Sequence, residues 1–332
     1  MKDFSPFGPS IFGKPIQRRM TSLLAQRFFT TPFSVLSSRN QEWMSRKNAW
    51  IKLGIQPELG REEGISFGNI ISKDDKHYRR GVCSAKTEKT SKELQEIFEL
   101  CGVGASIFDP VLCETIYHWF THKGAQIIDP FAGGVVRGIV AGCLGRRYWG
   151  CDLRPEQIEA NLEQVKVFSS YKSLINTVQY VCGDSLEMLW SAPDADFVFS
   201  CPPYGDLEVY SDDPKDLSNM KWDKFMGVYK QIISQACQKL KPDRFACFVV
   251  SNFRDPQGYI RNFVGDTIQA FKEQGLGLYN EAIFVTPIGS AFIRASRQFE
   301  SGRKLCKTHQ NVLVFCKGDW HKASKRVTEK DV

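Results

Sequence analysis

The chain has 332 residues, 42% of them apolar and 24% charged, with 26 Gly, 15 Pro and a formal net charge of +7. That length allows one large domain with an appendage or two small domains, and the composition excludes collagen, low-complexity disorder and coiled coil. Charge is uneven: residues 1–50 carry +6, residues 300–332 carry +4 and the body between them −3. Such basic ends fit either polyanion binding or plain solvated termini.

No apolar run approaches the roughly 18 residues needed to span a bilayer, so no membrane partner is expected. Met1–Pro15 lacks the apolar run of a secretory signal, whereas Ile16–Arg39, rich in Arg and Ser and free of acids, leaves an organelle transit peptide as a second reading. The eleven Cys are scattered without a C-x-x-C pair. Cys143, Cys182, Cys247 and Cys316 fall in apolar runs, where free Cys behaves as a small buried hydrophobe, and a reduced cytoplasmic compartment is expected. The five His are dispersed, so no metal site is expected.

In chain order, residues 1–35 are rich in Phe, Pro and Arg without a clear period. Residues 36–60 read as an aromatic, basic helix–turn segment, with Trp43 and Trp50 seven apart on one helical face, the spacing of two core contacts. Residues 72–92 are the most polar and read as a loop or linker. A helix is predicted over Lys92–Cys101 with Ser91 as its cap, and another over Pro110–Phe120 with Pro in its first turn.

Strands are then predicted at 125–129, 147–151, 178–182, 195–200, 245–251, 279–286 and 311–316. Helices are predicted at 135–144, 155–168, 222–240 and 257–274. This alternation predicts an α/β fold, a doubly wound, Rossmann-like and mostly parallel sheet. The last two strands are separated by what reads as loop, so an antiparallel hairpin is expected at one edge. The expected organisation is an N-terminal extension with a polar loop (1–92), the α/β domain (93–318) and a basic tail (319–332).

In such sheets ligands sit at the carboxyl ends of the strands. The first strand runs into Asp129-Pro130-Phe131-Ala132-Gly133-Gly134, a strand–Gly–helix turn that presents backbone N–H groups or simply turns a corner. It has neither G-x-G-x-x-G spacing nor the Gly-Lys-Ser/Thr of a P-loop. The second strand ends in Gly150-Cys151-Asp152-Leu153, where an acid either accepts from ribose hydroxyls or caps the next helix. The third ends in Cys182-Gly183-Asp184-Ser185, and the fourth in Ser200-Cys201-Pro202-Pro203-Tyr204. Consecutive prolines fix the backbone and remove both N–H donors beside an aromatic face.

Taken together and in this order, these strand ends resemble the S-adenosylmethionine-dependent amino-methyltransferases of DNA, which methylate adenine N6 or cytosine N4. Residues 129–134 are similar to the family's Asp-Pro-Phe-x-Gly-Ser-Gly, and 201–204 to its Asp/Asn/Ser-Pro-Pro-Tyr. Ser106-Ile107-Phe108-Asp109-Pro110 comes first, which resembles the family's gamma motif order. The resemblance covers about 106–318, ending in His309-Gln310-Asn311-Val312-Leu313-Val314-Phe315. Pro32-Phe33-Ser34-Val35-Leu36 and the chain as a whole further resemble methylases of phages and prophages, which implies the cytoplasm of a bacterial or phage-infected host cell. Two positions depart from the pattern: Val135 stands for the loop's second Gly, and Cys201 for the polar residue before the prolines.

The resemblance implies S-adenosylmethionine as cofactor and double-stranded DNA as substrate. It places Phe108, Asp109, Asp129, Phe131, Gly133, Gly134, Asp152, Leu153, Asp184 and Ser185 around the cofactor. In that reading Asp152 takes the ribose, Asp184 and Ser185 the adenine edge, and Asp129 the loop and the amino group, with Phe108 and Phe131 near the sulfonium. Cys201, Pro202, Pro203 and Tyr204 form the catalytic motif. Acceptors at Cys201 and Pro202 would pyramidalise the target nitrogen, and Tyr204 would stack on a flipped base, a contact worth about 1–3 kcal/mol. Cys201 precedes the prolines and no Glu-Asn-Val exists, so a covalent cysteine mechanism is not expected.

Nucleic-acid contacts are expected from 289–308, where Arg294, Arg297, Arg303, Lys304 and Lys307 face only Glu300, unless this is a solvated hairpin loop. Arg18, Arg19, Arg46 and Lys47 in the N-terminal region form a second candidate. The acidic segment 205–221 reads as a lid or base-pocket wall. Two alternatives stand beside DNA: methylation of RNA, for example at guanine N2, or an inactive nucleic-acid-binding module. Oligomeric state is left open.

Overall fold

The computed structural model describes residues 23–60, 108–168, 174, 177–207, 210–288 and 291–329. The expected helix Lys92–Cys101, the linker 72–92, the boundary near 92, Ser106, Ile107, Arg18 and Arg19 lie outside the described residues.

The strands are β1 (Val35–Ser37), β2 (Gln126–Asp129), β3 (Arg147–Asp152), β4 (Val178–Cys182), β5 (Ala195–Ser200) and β6 (Leu240–Val250). A separate ribbon of β7 (Phe253–Arg254) and β8 (Ile260–Arg261) follows, then β9 (Leu276–Val285) and β10 (His309–Lys317). Eight of them form one sheet in the order β1-β9-β10-β6-β5-β2-β3-β4. β2 to β6 pair in parallel, and β10 runs antiparallel between β6 and β9.

The helices are α1 (Leu23–Phe28), α2 (Gln41–Lys52), α3 (Pro110–Phe120), α4 (Val136–Cys143), α5 (Pro155–Val167) and the single turn α6 (Ser185–Met188). α7 (Trp222–Lys239), α8 (Phe263–Lys272), α9 (Ala291–Gly302) and α10 (Trp320–Glu329) follow among the described residues. The two-residue period of the central strands divides their side chains between two cores. Phe197, Phe199, Phe245, Cys247 and Val249 join α2, α3, α4, α5 and α10 on one face. Val198, Ala246, Phe248 and Val250 join α7 and α8 on the other. With both faces covered, the buried stretches 197–199 and 245–250 of these strands are continuously apolar, and each buried aromatic contributes about 1.5–3 kcal/mol.

Three local expectations change. The connection before β10 contains α9, so the antiparallel pair β9–β10 is joined by a helix. The outer edge beyond that pair is β1, whose Val35–Ser37 pairs in parallel with Ile283–Val285. Residues 257–262 do not begin a helix, because Pro256 and a Gly258 at φ 93° make a turn in which Gly258 N–H donates to the Asp255 carbonyl. The helix starts only after Asn262, whose side chain accepts from Gly265 N–H.

Trp43 and Trp50 are buried as expected, and both indoles are also hydrogen-bonded. Trp43 Nε1 donates to Asp109 Oδ1 at 3.0 Å, and Trp50 Nε1 to Glu114 Oε2 at 2.8 Å. Arg46 forks onto both oxygens of the fully buried Glu114, while Lys47 Nζ lies 3.5 Å from Asp109 Oδ2. Arg46 and Lys47 are thus not free phosphate ligands: they compensate carboxylates that the fold has taken out of water. Cys143, Cys247 and Cys316 are buried, but Cys182 is exposed because it ends the edge strand β4.

Among the described residues no helix is long and apolar enough to cross a membrane, and no group of three His, Cys, Asp or Glu is placed to hold a metal.

Candidate active site

From β2 the chain goes on to β3 on one side, while β5 lies against its other side, so the crevice between β2 and β5 is a topological switch point. A cavity of about 190 Å³ lies there. Its walls include Phe108, Phe131, Gly133, Gly134, Asp152 and Leu153. They also include Asp184, Ser185, Cys201, Pro202, Pro203 and Tyr204, so four separate strand ends meet in one space.

The turn after β2 is held from beneath by a buried network. Asp129 Oδ2 accepts from Arg137 Nε at 2.6 Å and from Tyr148 Oη at 2.7 Å, while Oδ1 accepts from the Ser200 hydroxyl and from Phe131 N–H. Arg137 then donates to the carbonyls of Phe131 (2.6 Å) and Ala132 (2.9 Å). Burial alone would lower the Arg137 pKa, but the Asp129 charge outweighs it and holds the guanidinium above its ordinary value. Asp129 therefore holds the loop, as expected, but it is fully buried and is not part of the cavity wall.

Asp109 is likewise not on the wall. Its Oδ1 caps α3 through Val111 and Leu112 N–H and takes the Trp43 indole. An Asp before a helix-opening proline does that work first. Phe108 does line the cavity, and the Arg137 guanidinium lies 4.6 Å from its ring centroid, over one face of the ring. The Ser185 hydroxyl donates to the Pro130 carbonyl and ties two strand-end loops together.

At Gly133 the backbone has φ 49°, and a Cβ placed there would meet nothing within 4 Å. A bare, left-handed backbone facing a cavity lets a ligand approach the chain closely. Gly133 N–H donates to Asp152 Oδ2 at 2.9 Å, and Arg154 N–H to Asp152 Oδ1 at 3.0 Å. Burial raises the Asp152 pKa above its ordinary 3.8 in spite of these two bonds. Asp184 Oδ1 accepts from Leu186 N–H and caps the turn after β4. Asp184 thus caps a turn and lines the cavity at once, whereas Asp152 lines it and pins the Gly133 loop without capping α5, whose N-cap Arg154 has no side-chain cap bond.

Tyr204 stands on the opposite wall inside an aromatic group. Phe253 stacks on it with centroids 6.4 Å apart, and Phe263 meets it edge-on at 6.1 Å. Its hydroxyl accepts from Gln310 Nε2 at 2.7 Å and lies 3.8 Å from Cys201 Sγ. Burial holds that hydroxyl well above its ordinary pKa of 10, so it stays protonated. Tyr210, Lys215, Asp216 and Leu217 close another side, which makes the acidic segment a wall of the cavity.

Sequence reasoning missed Arg137, Gln310 and Pro57 on this wall. An arginine inside the apolar helix Val136–Cys143 was a readable signal for Arg137. Gln310 and Pro57 gave none, since strand pairing and loop packing bring them in. The basic set 294–307 is split: Arg294 has no described side chain, while Arg297, Arg303 and Lys307 are exposed. Arg297, Arg303, Lys304 and Lys307 do not line the cavity.

No family model and no curated protein matches this chain. Among solved structures it is similar to TrmN from Thermus thermophilus, at 16% identity over 63% of this chain and 49% of that one, with a TM-score of 0.42. The chain thus spans about half the length of that protein. Magnesium protoporphyrin IX methyltransferase (ChlM) from Synechocystis PCC 6803, with bound SAM, gives 11% over 76% of this chain and 94% of that one, at 0.42. The [4+2]-cyclase SpnF gives 12% over 63% and 80%, at 0.45. These likenesses are loose and span different chemistries, so what the cavity does has to follow from its own residues.

Proposed function

We propose that this protein is an S-adenosylmethionine-dependent methyltransferase acting on the exocyclic amino nitrogen of a DNA base, cytosine N4 or adenine N6. One observation carries the reading. A single cavity joins the Gly133 cradle and the carboxylates of Asp152 and Asp184 to the Cys201-Pro202-Pro203-Tyr204 wall.

The residues fit the cofactor. The space over Gly133 admits a ligand against bare backbone. Asp152 and Asp184 accept hydrogen bonds from hydroxyl and amino groups, and Leu153 and Phe131 supply apolar walls for a purine ring. When bound, the cofactor supplies an electrophilic methyl group on a sulfonium.

The protein's part is orientation and removal of water. Pro202 and Pro203 contribute no N–H, so the backbone there offers only acceptors to an incoming amino group. Hydrogen bonds from that group to the Cys201 and Pro202 carbonyls draw its lone pair out of ring conjugation and favour the cationic transition state. The ring of Tyr204, fixed by Gln310 and backed by Phe253, offers a stacking face to an extruded base.

The test is transfer from labelled S-adenosylmethionine to duplex DNA and to RNA, read by mass spectrometry of the digested nucleosides, with Tyr204→Ala as control. N4-methylcytosine or N6-methyladenine that disappears in the control supports the reading. Label in RNA alone replaces it with the RNA alternative, and absence of both label and cofactor binding leaves an inactive module.

A further inference from the structure

The β7–β8 ribbon is anchored to the acceptor wall at its base. Phe253 stacks on Tyr204, and its ladder partner Arg261 lies over the rings of Trp222 and Phe253 at 4.6 and 5.5 Å. A Cβ on Gly205 would come within 3.1 Å of Phe253, so the ribbon touches the chain that directly follows Tyr204.

The tip is different. Tyr259 is 76% exposed and Ile260 61%. With a rise of about 3.3 Å per residue, the Tyr259 backbone stands only roughly 7 Å along the ribbon from Arg261. The tip is also stiff for its size. Asp255 Oδ1 accepts from Tyr259 N–H at 2.8 Å, and Arg254 Nη1 donates to the Gly258 carbonyl at 2.8 Å.

Cations gather beside it. A Cβ on Gly258 would lie 2.6 Å from Lys304 Nζ, which places the chain after α9 against the ribbon turn. Arg254, Arg303, Lys304 and Lys307 join no ion pair among the described residues. Only Asp255 and Glu300 oppose them within the two segments 253–261 and 297–307. By contrast, the wall segment around Lys215 carries Asp212, Asp213 and Asp216, which repel phosphate. The charge around the cavity is therefore asymmetric, and the exposed aromatic side is the basic one. That combination matches a polyanion whose bases are apolar plates.

We propose that the ribbon is the element that enters the DNA duplex, Tyr259 and Ile260 filling the space left by the extruded base while Arg303 and Lys304 hold flanking phosphates. This rests on the DNA reading above. Extrusion costs stacking and pairing, and an apolar wedge standing on the acceptor wall offsets that cost where it arises.

The experiment compares wild type with the double variant Tyr259→Ala, Ile260→Ala, after the nucleoside assay and sequencing have located the modified base. Initial rates are measured on a matched duplex and on the same duplex mismatched at that base. The expected result is a fall of about tenfold or more on the matched duplex that the mismatch restores to within about twofold of wild type. Cofactor affinity by calorimetry and Tm stay unchanged, because both side chains are exposed. No loss on the matched duplex, or a loss that the mismatch leaves in place, overturns the wedge. Lys304→Gln tests the phosphate contact separately: the slope of log K against log salt for duplex binding should shrink by about one, and an unchanged slope overturns that part. A wild type that labels no DNA refutes the DNA reading itself, whereas a wild type that methylates DNA beside an unaffected double variant refutes the ribbon alone.

Discussion

Arg137 Nε meets Asp129 Oδ2 at 2.6 Å with side-chain exposures of 4% and 0%, an ion pair almost wholly removed from water. The same guanidinium binds the carbonyls of Phe131 and Ala132, so a residue of helix α4 fixes the loop that opens it. The pair thus fixes Phe131 and Ala132, while Asp152 and Asn161 hold Gly133 itself through its N–H and its carbonyl.

Arg137→Met leaves the Asp129 carboxylate buried without its charge partner and two loop carbonyls without a donor. Such a loss costs about 3–5 kcal/mol. Urea denaturation should register it as a lowered midpoint, with weaker cofactor binding by calorimetry. Adding Asp129→Asn to Arg137→Met should recover part of the stability, since the uncompensated charge is then gone. A double variant no more stable than the single one would contradict the charge argument.

Removing the Tyr204 ring and removing its hydroxyl should have different consequences. Tyr204→Ala loses the stacking face, about 1–3 kcal/mol, which lowers kcat/KM by roughly 5- to 150-fold. Tyr204→Phe keeps the face and loses the bond from Gln310, a cost of about 1 kcal/mol or roughly fivefold. Gln310→Leu in the Tyr204→Phe background should then have little additional effect. Equal losses for Ala and Phe would argue that the hydroxyl, not the ring, is what the reaction uses.

Asp152 supplies a pH dependence with a definite sign. Burial raises its folded-state pKa above 3.8, so the protonated form is the one the fold favours. Its contribution to stability is complete below pH 3.8 and is lost as pH rises through the raised folded value. In a plot of Tm against pH, Asp152→Asn should flatten that segment relative to wild type. Cofactor affinity should run the opposite way, rising over the same window as the carboxylate ionises, and the Asn variant should bind weakly throughout. A Tm profile identical in both proteins would remove Asp152 from this account.

The N-terminal segment should prove inseparable from the sheet. Glu114 is fully buried and draws its hydrogen bonds from Arg46 and Trp50 of α2, while β1 covers the outer edge of β9. Arg46→Ala should therefore destabilise the protein by about 3 kcal/mol or more, and Glu114→Gln in that background should restore part of the loss. A form beginning at residue 61 should be insoluble or unfolded, because it exposes the β9 edge and leaves Glu114 uncompensated. Soluble, cooperatively unfolding truncated protein would show the segment to be dispensable.

Short apolar-rich runs between turn signals were enough to place β2 to β5 to within a residue: Ile127–Ile128, Tyr148–Cys151 and Phe197–Phe199 lie in strands buried on both faces, while the edge strand β4 alternates buried and exposed residues. Cap chemistry did the same for α3, whose bounds match the expected Pro110–Phe120. The strand ends carrying Asp152, Asp184 and Tyr204 were legible too, since a doubly wound sheet puts the carboxyl ends of its parallel strands on one side. Less was readable where local pattern is ambiguous. The helix predicted from residue 257 ran over the second half of the Asp255-Pro256-Gln257-Gly258 turn and over β8, and α9 was read as loop.

What the sequence alone determined is the alternation of elements and the set of strand ends that could meet. What only the tertiary structure decided is which acids face the cavity. Asp129 ends a strand as Asp152 does, and Asp109 stands in the first motif, yet these two are consumed by Arg137, by Trp43 and by a helix N-terminus. Long-range pairing also chose the order β10 between β6 and β9, which brings Gln310 to Tyr204 across more than a hundred residues. A side chain's partner depends on its neighbours in space, and local propensity holds no record of contacts made from so far along the chain.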